Sequence, residues 1–522
     1  MTTDLSFDGV EHVRDVGRVA RDDGDRDTRA PVQVLVLDLG DAEAYVRFSS
    51  AISGRMTARF CFSENTSPSS RSNSITPTHA AMQGRVGDRL AAFGRLCPSE
   101  RTFTSQRSRV TPRAHAPRIL ALVQAGGAGS RMDVLTRETP KPALPYAGSF
   151  RLIDVPLSNL RNSGISDVWV SVQYLGQRLA NVMANGKPWD LDRHHGGFRV
   201  IMPEQAGPAA EEGFVSGNAE ELLSNRDAIR RFGADAVVVL SADHVYRLDY
   251  AEVVAEHLGR GAECTVVTTE VSLEDASHHA VMIIGEGGQV ERVDYKPDEP
   301  AATTVATEVF VYQPQALIDV LEELHREMSV AAAGGSGGSD SADGENEPED
   351  GSALGDFGEH LLPAMIERGR VYAYPLSGYW RDLGRPETYL VAHRELLAGD
   401  VALFDPDWPI TTTVDRRAPA QLHQGCSVVD SMISDGCQVF GSVRNSVLGP
   451  GVVVEAGGQV RDSVIFADVV VRSGATVDWA IVDKGCEIGS GARVGSGNPS
   501  GVIDLDLIAL IGPDCRSNPA PR

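Results

Sequence analysis

The chain has 522 residues, 42% of them apolar, and a net charge of -24. That length exceeds one ordinary core and implies two or three domains. The acidic balance argues against a nucleic-acid partner, which needs a basic face, and no stretch reaches the roughly eighteen to twenty apolar residues of a membrane span.

The first residues, "MTTDLSFDGVEHVRD", are acidic and lack the apolar run of a secretory leader, so a cytoplasmic location is expected. Seven scattered cysteines without a C-x-x-C pair suit reduced thiols and no zinc site. Residues 1–116 read as a largely disordered extension. One strand is expected in "APVQVLVLDLGD" (30–41) and one helix in "RVGDRLAAFGRL" (85–96), with "SENTSPSSRSNSITPTH" between them rich in Ser, Thr, Asn and Pro.

From 117 to 395 short apolar strands alternate with amphipathic helices, which predicts an α/β domain with a mostly parallel, Rossmann-like sheet. Strands are expected at 118–123, 167–173, 235–242, 264–271 and 306–312, and helices at 157–164, 175–186, 218–233 and 250–261. The Gly/Ser/acidic run 331–352 reads as a flexible insertion.

The segment 396–512 contains a repeat. Three 17-residue units, 444–460, 461–477 and 478–494, align without gaps. Apolar residues coincide at Val447/Val464/Ile481, Val452/Val469/Cys486, Val454/Val471/Ile488 and Val460/Val477/Val494, and glycines at Gly457/Gly474/Gly491. Three inward apolar positions per unit, spaced near six residues, predict a left-handed parallel β-helix in which no coil buries its apolar face alone. "CSVVDSMISDGCQVFGSV" (426–443) reads as an earlier, weaker coil.

The chemistry-bearing residues begin in "LVQAGGAGSRMDVLTRETPKPALP" (122–145). A buried strand ends in Gly126, Gly127 and Gly129, whose backbone N–H groups can face a phosphate. The spacing is neither that of a kinase P-loop nor that of a hydride-cofactor turn. Arg131 can fork onto phosphate oxygens, and Lys141 is a cation fixed between two prolines. Asp243 ends the apolar strand "AVVVLSADHVY", where a carboxylate faces the ligand crevice of a parallel sheet and can hold Mg²⁺. Asp382, in "GYWRDLG", offers a second carboxylate. Taken singly, the glycines read at least as well as a tight turn, and each aspartate and each cation reads better as a surface or capping carboxylate or a solvated cation; their order along one α/β domain is what points to a phosphate site.

These residues, with "PKPALPYAG" and "FRLIDVPLSNLRNSGI", "VSVQY" (170–174), "GFVSGNAEEL" (213–222), "SADHVYRLDY" (241–250), "DYKP" (294–297), "DFG" (356–358) and "YWRDLG" (379–384), resemble the sugar-1-phosphate nucleotidyltransferases. The ADP-glucose-forming branch, the glucose-1-phosphate adenylyltransferases, is the most similar. The resemblance covers about 117–510, including the β-helix, and leaves out the first 116 residues. It implies adenylyl transfer from ATP to glucose 1-phosphate, giving ADP-glucose and pyrophosphate, as in α-glucan synthesis. It also implies roles. Gly126, Gly127, Gly129, Gln173, Gln205 and Gly217 would bind the nucleotide. Arg131 and Lys141 would act on the phosphates, and Asp243 and Asp382 would hold Mg²⁺. Lys296, Asp356, Phe357 and Trp380 would bind the sugar phosphate. Tetramers are common in that family, so a homo-oligomer is implied. Tyr295 stands where the family usually carries Glu, and "ATEVFVY" and "HHAVMII" replace its small Gly-containing segments. Two alternatives stay open: a nucleotidyltransferase for another sugar phosphate or base, and a catalytically weak regulatory subunit.

Overall fold

Strand β1 (Ile119–Gln124) is the apolar run ILALVQ, and all but its first residue are buried. A strand covered on both faces needs no polar alternation. The structure, a computed structural model, describes four strands between residues 13 and 64, together with residues 116–517 other than 128, 194–195, 203–216, 335–353, 414–415, 498–506 and 514.

Around β1 the chain builds a nine-stranded sheet. Its strands are β2 (Asp167–Ser171), β3 (Gly197–Ile201), β4 (Ala236–Ser241), β6 (Cys264–Glu270), β7 (Ala280–Ile284), β8 (Val290–Tyr295), β9 (Thr304–Tyr312) and β10 (Val371–Pro375). The set β4-β1-β2-β3 is parallel, and so is the pair β6-β10. The five strands expected from sequence are all present. One detail differs: β9 runs antiparallel to all three of its neighbours, β4, β6 and β7, and β8 pairs antiparallel with β7 to extend that edge. Two strands, β5 (His244–Tyr246) and β11 (Trp380–Asp382), form a separate antiparallel ribbon beside the sheet.

Helices cover both faces. α1 (Asp154–Asn162), α2 (Gly176–Met183) and α5 (Tyr250–Arg260) lie within the expected ranges or overlap them. The helix expected at 218–233 is two, α3 (Asn218–Ser224) and α4 (Arg226–Phe232), broken at Asn225. Asp249 caps α5 by accepting from Ala251 N, and Gly261 ends it in the left-handed region. α6 (Pro314–Gly334) runs into the segment read as a flexible insertion, the rest of which lies outside the described residues. α7 (Pro386–Ala398) leads toward the repeats. No helix among the described residues is long and apolar enough to cross a membrane.

The repeats stack as three parallel sheets of two- and three-residue strands, the arrangement of a left-handed β-helix. Val447 pairs with Val464 and Val464 with Ile481, a step of one 17-residue unit. Val454, Val471, Ile488, Val460 and Val477 are fully buried along its axis. The earlier coil is present and shorter, with Ser427 opposite Ser442. Gly457, Gly474 and Gly491 all take positive φ, 78°, 72° and 71°, at one corner of successive coils.

The N-terminal strands, Val13–Asp15, Gln33–Asp38, Ala42–Ser50 and Met56–Glu64, form an antiparallel sheet in chain order. The second coincides with the strand expected at 30–41; the others add to that reading. Their period-two apolar residues are paired, Ala44 opposite Phe62 and Val46 opposite Phe60. The helix expected at 85–96 lies outside the described residues.

Candidate active site

Parallel strands release their following loops at one edge of the sheet, so chemistry gathers there. Gly126 and Gly127 follow β1, Gln173 follows β2, and Asp243 follows β4. The Thr136 hydroxyl donates to Gly129 O at 2.9 Å and ties the glycine turn to the short helix Ser130–Thr136. That helix exposes Arg131 and buries Met132 and Leu135.

The nucleotide-side glycines are close to other groups. A Cβ on Gly126 would stand 3.1 Å from the Gln173 side chain. Gly217, with φ 97°, is the N-cap just before α3, and a Cβ there would stand 2.1 Å from Gly355 O, so only glycine fits. Between them Glu221 is buried and within 3.5 Å of Gln173 Nε2. Burial pushes its carboxyl up, against hydrogen bonds from Ser171, Gln173 and Gln124. Sequence reading did not single out Glu221.

Lys141 opens a short turn between Pro140 and Pro142. Its ammonium donates to Asp243 Oδ2 and lies 3.9 Å from Asp382 Oδ1. Asp382 reaches this place because β5 and β11 pair with His244 opposite Asp382. His244 Nδ1 is hydrogen-bonded to Thr307 O at 3.0 Å. Its Nε2 lies 3.5 Å from Asp243 Oδ1, 3.6 Å from Asp382 Oδ1 and 3.8 Å from Glu308 Oε2.

The charges oppose one another. Burial alone would raise Asp243; Lys141 and His244, with hydrogen bonds from Lys141 and Ser241, outweigh it and hold the carboxyl well below its usual range. Burial would lower Lys141 and His244, but the surrounding carboxylates raise both. A hard cation fits these donors. Asp382 Oδ1 is a buried carboxylate oxygen with no hydrogen-bond partner among the described residues. Asp243, His244 and Glu308 have ligand atoms all within 4.8 Å of one another.

Beside this cluster lies a cavity of about 630 Å³, whose walls include Arg131, Lys296, Trp380, Asp382, His278 and Arg385. Lys296 Nζ donates to the Tyr295 hydroxyl at 2.6 Å, and that hydroxyl donates to Asp356 Oδ2 at 2.7 Å.

The nucleotidyl transferase family model matches residues 120–336, and the GlmU-like C-terminal hexapeptide model matches 417–500. The chain is 32% identical to glucose-1-phosphate adenylyltransferase of Fervidobacterium nodosum over 341 residues, 65% of this chain and 76% of that protein. It is 33% identical to that of Clostridium acetobutylicum, covering 64% and 83%, and 34% identical to that of Thermotoga neapolitana, covering 65% and 75%.

The chain belongs to the glucose-1-phosphate adenylyltransferase family.

In this adenylyltransferase-family chain the structure brings Lys141, Asp243 and Asp382 together and sets Lys296 and Trp380 on the wall of the adjoining cavity. Arg131 lines the same cavity. Asp356 meets Lys296 through Tyr295. Phe357 is different. Its ring is 5% exposed and packs on Phe310 with centroids 5.0 Å apart, so the structure sets it in the core. Gln205 lies outside the described residues. His244 and Glu308 were missed by sequence reading. The signals were a histidine next to Asp243 and a glutamate inside the apolar run ATEVFVY.

Proposed function

We propose that the chain transfers the adenylyl group of ATP to glucose 1-phosphate, releasing pyrophosphate and forming ADP-glucose. The observation that carries this reading is the meeting of Lys141, Asp243 and Asp382 beside a glycine turn, in a chain of this family. A phosphate oxygen of the sugar attacks the α-phosphorus in line, and the bond from that phosphorus to the oxygen bridging to the β-phosphate breaks. Such a transfer needs positioning and charge neutralisation more than covalent help.

The glycine turn and Gly217 admit the nucleotide. Gln173 lies beside Gly126 and would contact the base or ribose. Lys141, held by two carboxylates, turns from Asp243 to a phosphate oxygen as the nucleotide enters. Arg131, which has no ion-pair partner among the described residues, is free to meet the departing pyrophosphate. Lys296 takes the sugar phosphate, with Asp356 and Trp380 on the sugar side. Asp243 and Asp382 would hold Mg²⁺, which when bound neutralises phosphate charge. We place the reaction in the cytoplasm, by a homo-oligomer.

One observation favours a second reading, another sugar 1-phosphate as acceptor. The Tyr295 hydroxyl occupies both Lys296 and Asp356, two of the groups assigned to that substrate. Pyrophosphate release from a matrix of nucleoside triphosphates against sugar 1-phosphates tests both. Turnover confined to ATP with glucose 1-phosphate supports the first reading. Preference for another sugar supports the second, and no release with any pair defeats both.

A further inference from the structure

We propose that Glu308 is a third acidic ligand of the divalent cation, completing with Asp243, Asp382 and His244 a site that takes the cation before any nucleotide arrives. The inference rests on the metal-dependent transfer proposed above and adds to it a residue and an order of binding.

Glu308 stands in the middle of β9 with φ +56°, a left-handed conformation that a side chain rarely adopts. The pairing of β6 with β9 slips there: Val266 faces Phe310 and Thr268 faces Ala306, leaving three residues of β9 against Val267. Such a bulge re-aims a side chain. Here it acts twice. Thr307 O receives His244 Nδ1, and Glu308 Oε2 lies 3.8 Å from His244 Nε2.

Two further atoms point to a ligand. His244 is 2% exposed, and its Nε2 sits among three carboxylate oxygens at 3.5–3.8 Å. Its Nδ1 bond to a backbone carbonyl is the arrangement that leaves Nε2 free to bind a metal. Asp382 Oδ1 is buried and lacks a hydrogen-bond partner among the described residues. The charge count agrees. Three carboxylates gather around the Lys141 ammonium and the His244 imidazole, an excess of acidic groups that a divalent cation would meet. An imidazole among carboxylates also suits Mn²⁺ as a probe.

The test uses the full chain and Mn²⁺ alone, with free Mn²⁺ counted by electron paramagnetic resonance. Wild type is expected to bind one Mn²⁺ per chain without nucleotide. Glu308→Gln is expected to weaken that binding by about tenfold or more. Glu308→Gly should lose the same affinity while its metal-free Tm holds or rises, because glycine suits this φ. No Mn²⁺ uptake by nucleotide-free wild type at millimolar concentration overturns the proposal, and so does equal affinity in both variants. Pyrophosphate release is measured separately. An active enzyme without a nucleotide-free Mn²⁺ site sinks the Glu308 assignment alone; a Mn²⁺ site in a protein inactive with every substrate pair sinks the proposed reaction alone.

Discussion

The Tyr295 hydroxyl donates to Asp356 Oδ2 at 2.7 Å while accepting from Lys296 Nζ at 2.6 Å. A tyrosine thus occupies the cation and the carboxylate that we assign to the sugar phosphate. Its ring also lies against Gly358, where a Cβ would stand 2.2 Å from Cδ2. Tyr295→Glu should lower KM for glucose 1-phosphate, because a carboxylate can accept hydrogen bonds from sugar hydroxyls. A site that pairs with a substrate hydroxyl discriminates by up to about 10⁴-fold. Values of kcat/KM across glucose, glucosamine and mannose 1-phosphates check this. An unchanged ranking with unchanged values removes Tyr295 from the specificity argument.

Asp243→Asn should abolish turnover with little change in fold. Asn keeps the shape but loses the charge that binds a hard cation. It also leaves Lys141 without its closest counter-charge. Activity titrated with Mg²⁺, beside circular dichroism, is the measurement; wild-type turnover by the variant would refute the metal assignment.

Asp154 gives a pH signature independent of the site. It is fully buried, and burial pushes its carboxyl up to about 6, against hydrogen bonds from Thr412 and Arg151 N. The unfolded chain loses this proton near pH 4 and the folded chain only near pH 6. Between those values the folded state holds more protons, so rising pH destabilises it, by about 3 kcal/mol for this group once both forms are ionised. Asp154→Asn keeps an oxygen for Arg151 N and should flatten this part of the Tm profile. Melts from pH 4 to 7 showing the same slope in both proteins would contradict the assignment.

Removing residues 1–116 should leave an active enzyme, since every residue assigned to substrate or metal follows them. Pyrophosphate release by the truncated chain is the check. A folded but inactive truncation would show that the extension contributes to the site.

The β-helix should support a homo-oligomer, because its end coils leave strand edges that a second copy can cover. Light scattering at micromolar concentration should report a mass above 55.8 kDa, the single chain. A strictly monomeric mass would refute this.

Much of the fold was legible because burial on both faces leaves continuous apolar runs, as at Ile119–Gln124 and Ala236–Ser241. Strand direction was not legible. ATEVFVY reads like its parallel neighbours, yet Val237 opposite Tyr312 fixes it antiparallel, and no local pattern encodes that. The same limit hid the ribbon that sets His244 against Asp382, residues 138 positions apart. The burial of Phe357 was not legible either, because its neighbour Asp356 faces Tyr295 while its own ring turns inward to Phe310. Gly457, Gly474 and Gly491 were readable, since a repeat prints its corner residues at a fixed interval.

Met132 and Leu135, on the short helix that exposes Arg131, are buried in one cluster with Val464, Phe466 and Ile481 of the β-helix. The two halves therefore share a hydrophobic seam directly beneath the arginine. A chimera joining residues 117–395 to a foreign β-helix would inherit mismatched side chains at that seam. Its first symptom should be a misplaced guanidinium, ahead of any loss of the sheet. Grafting experiments on this scaffold must carry Val464, Phe466 and Ile481 across with the catalytic half.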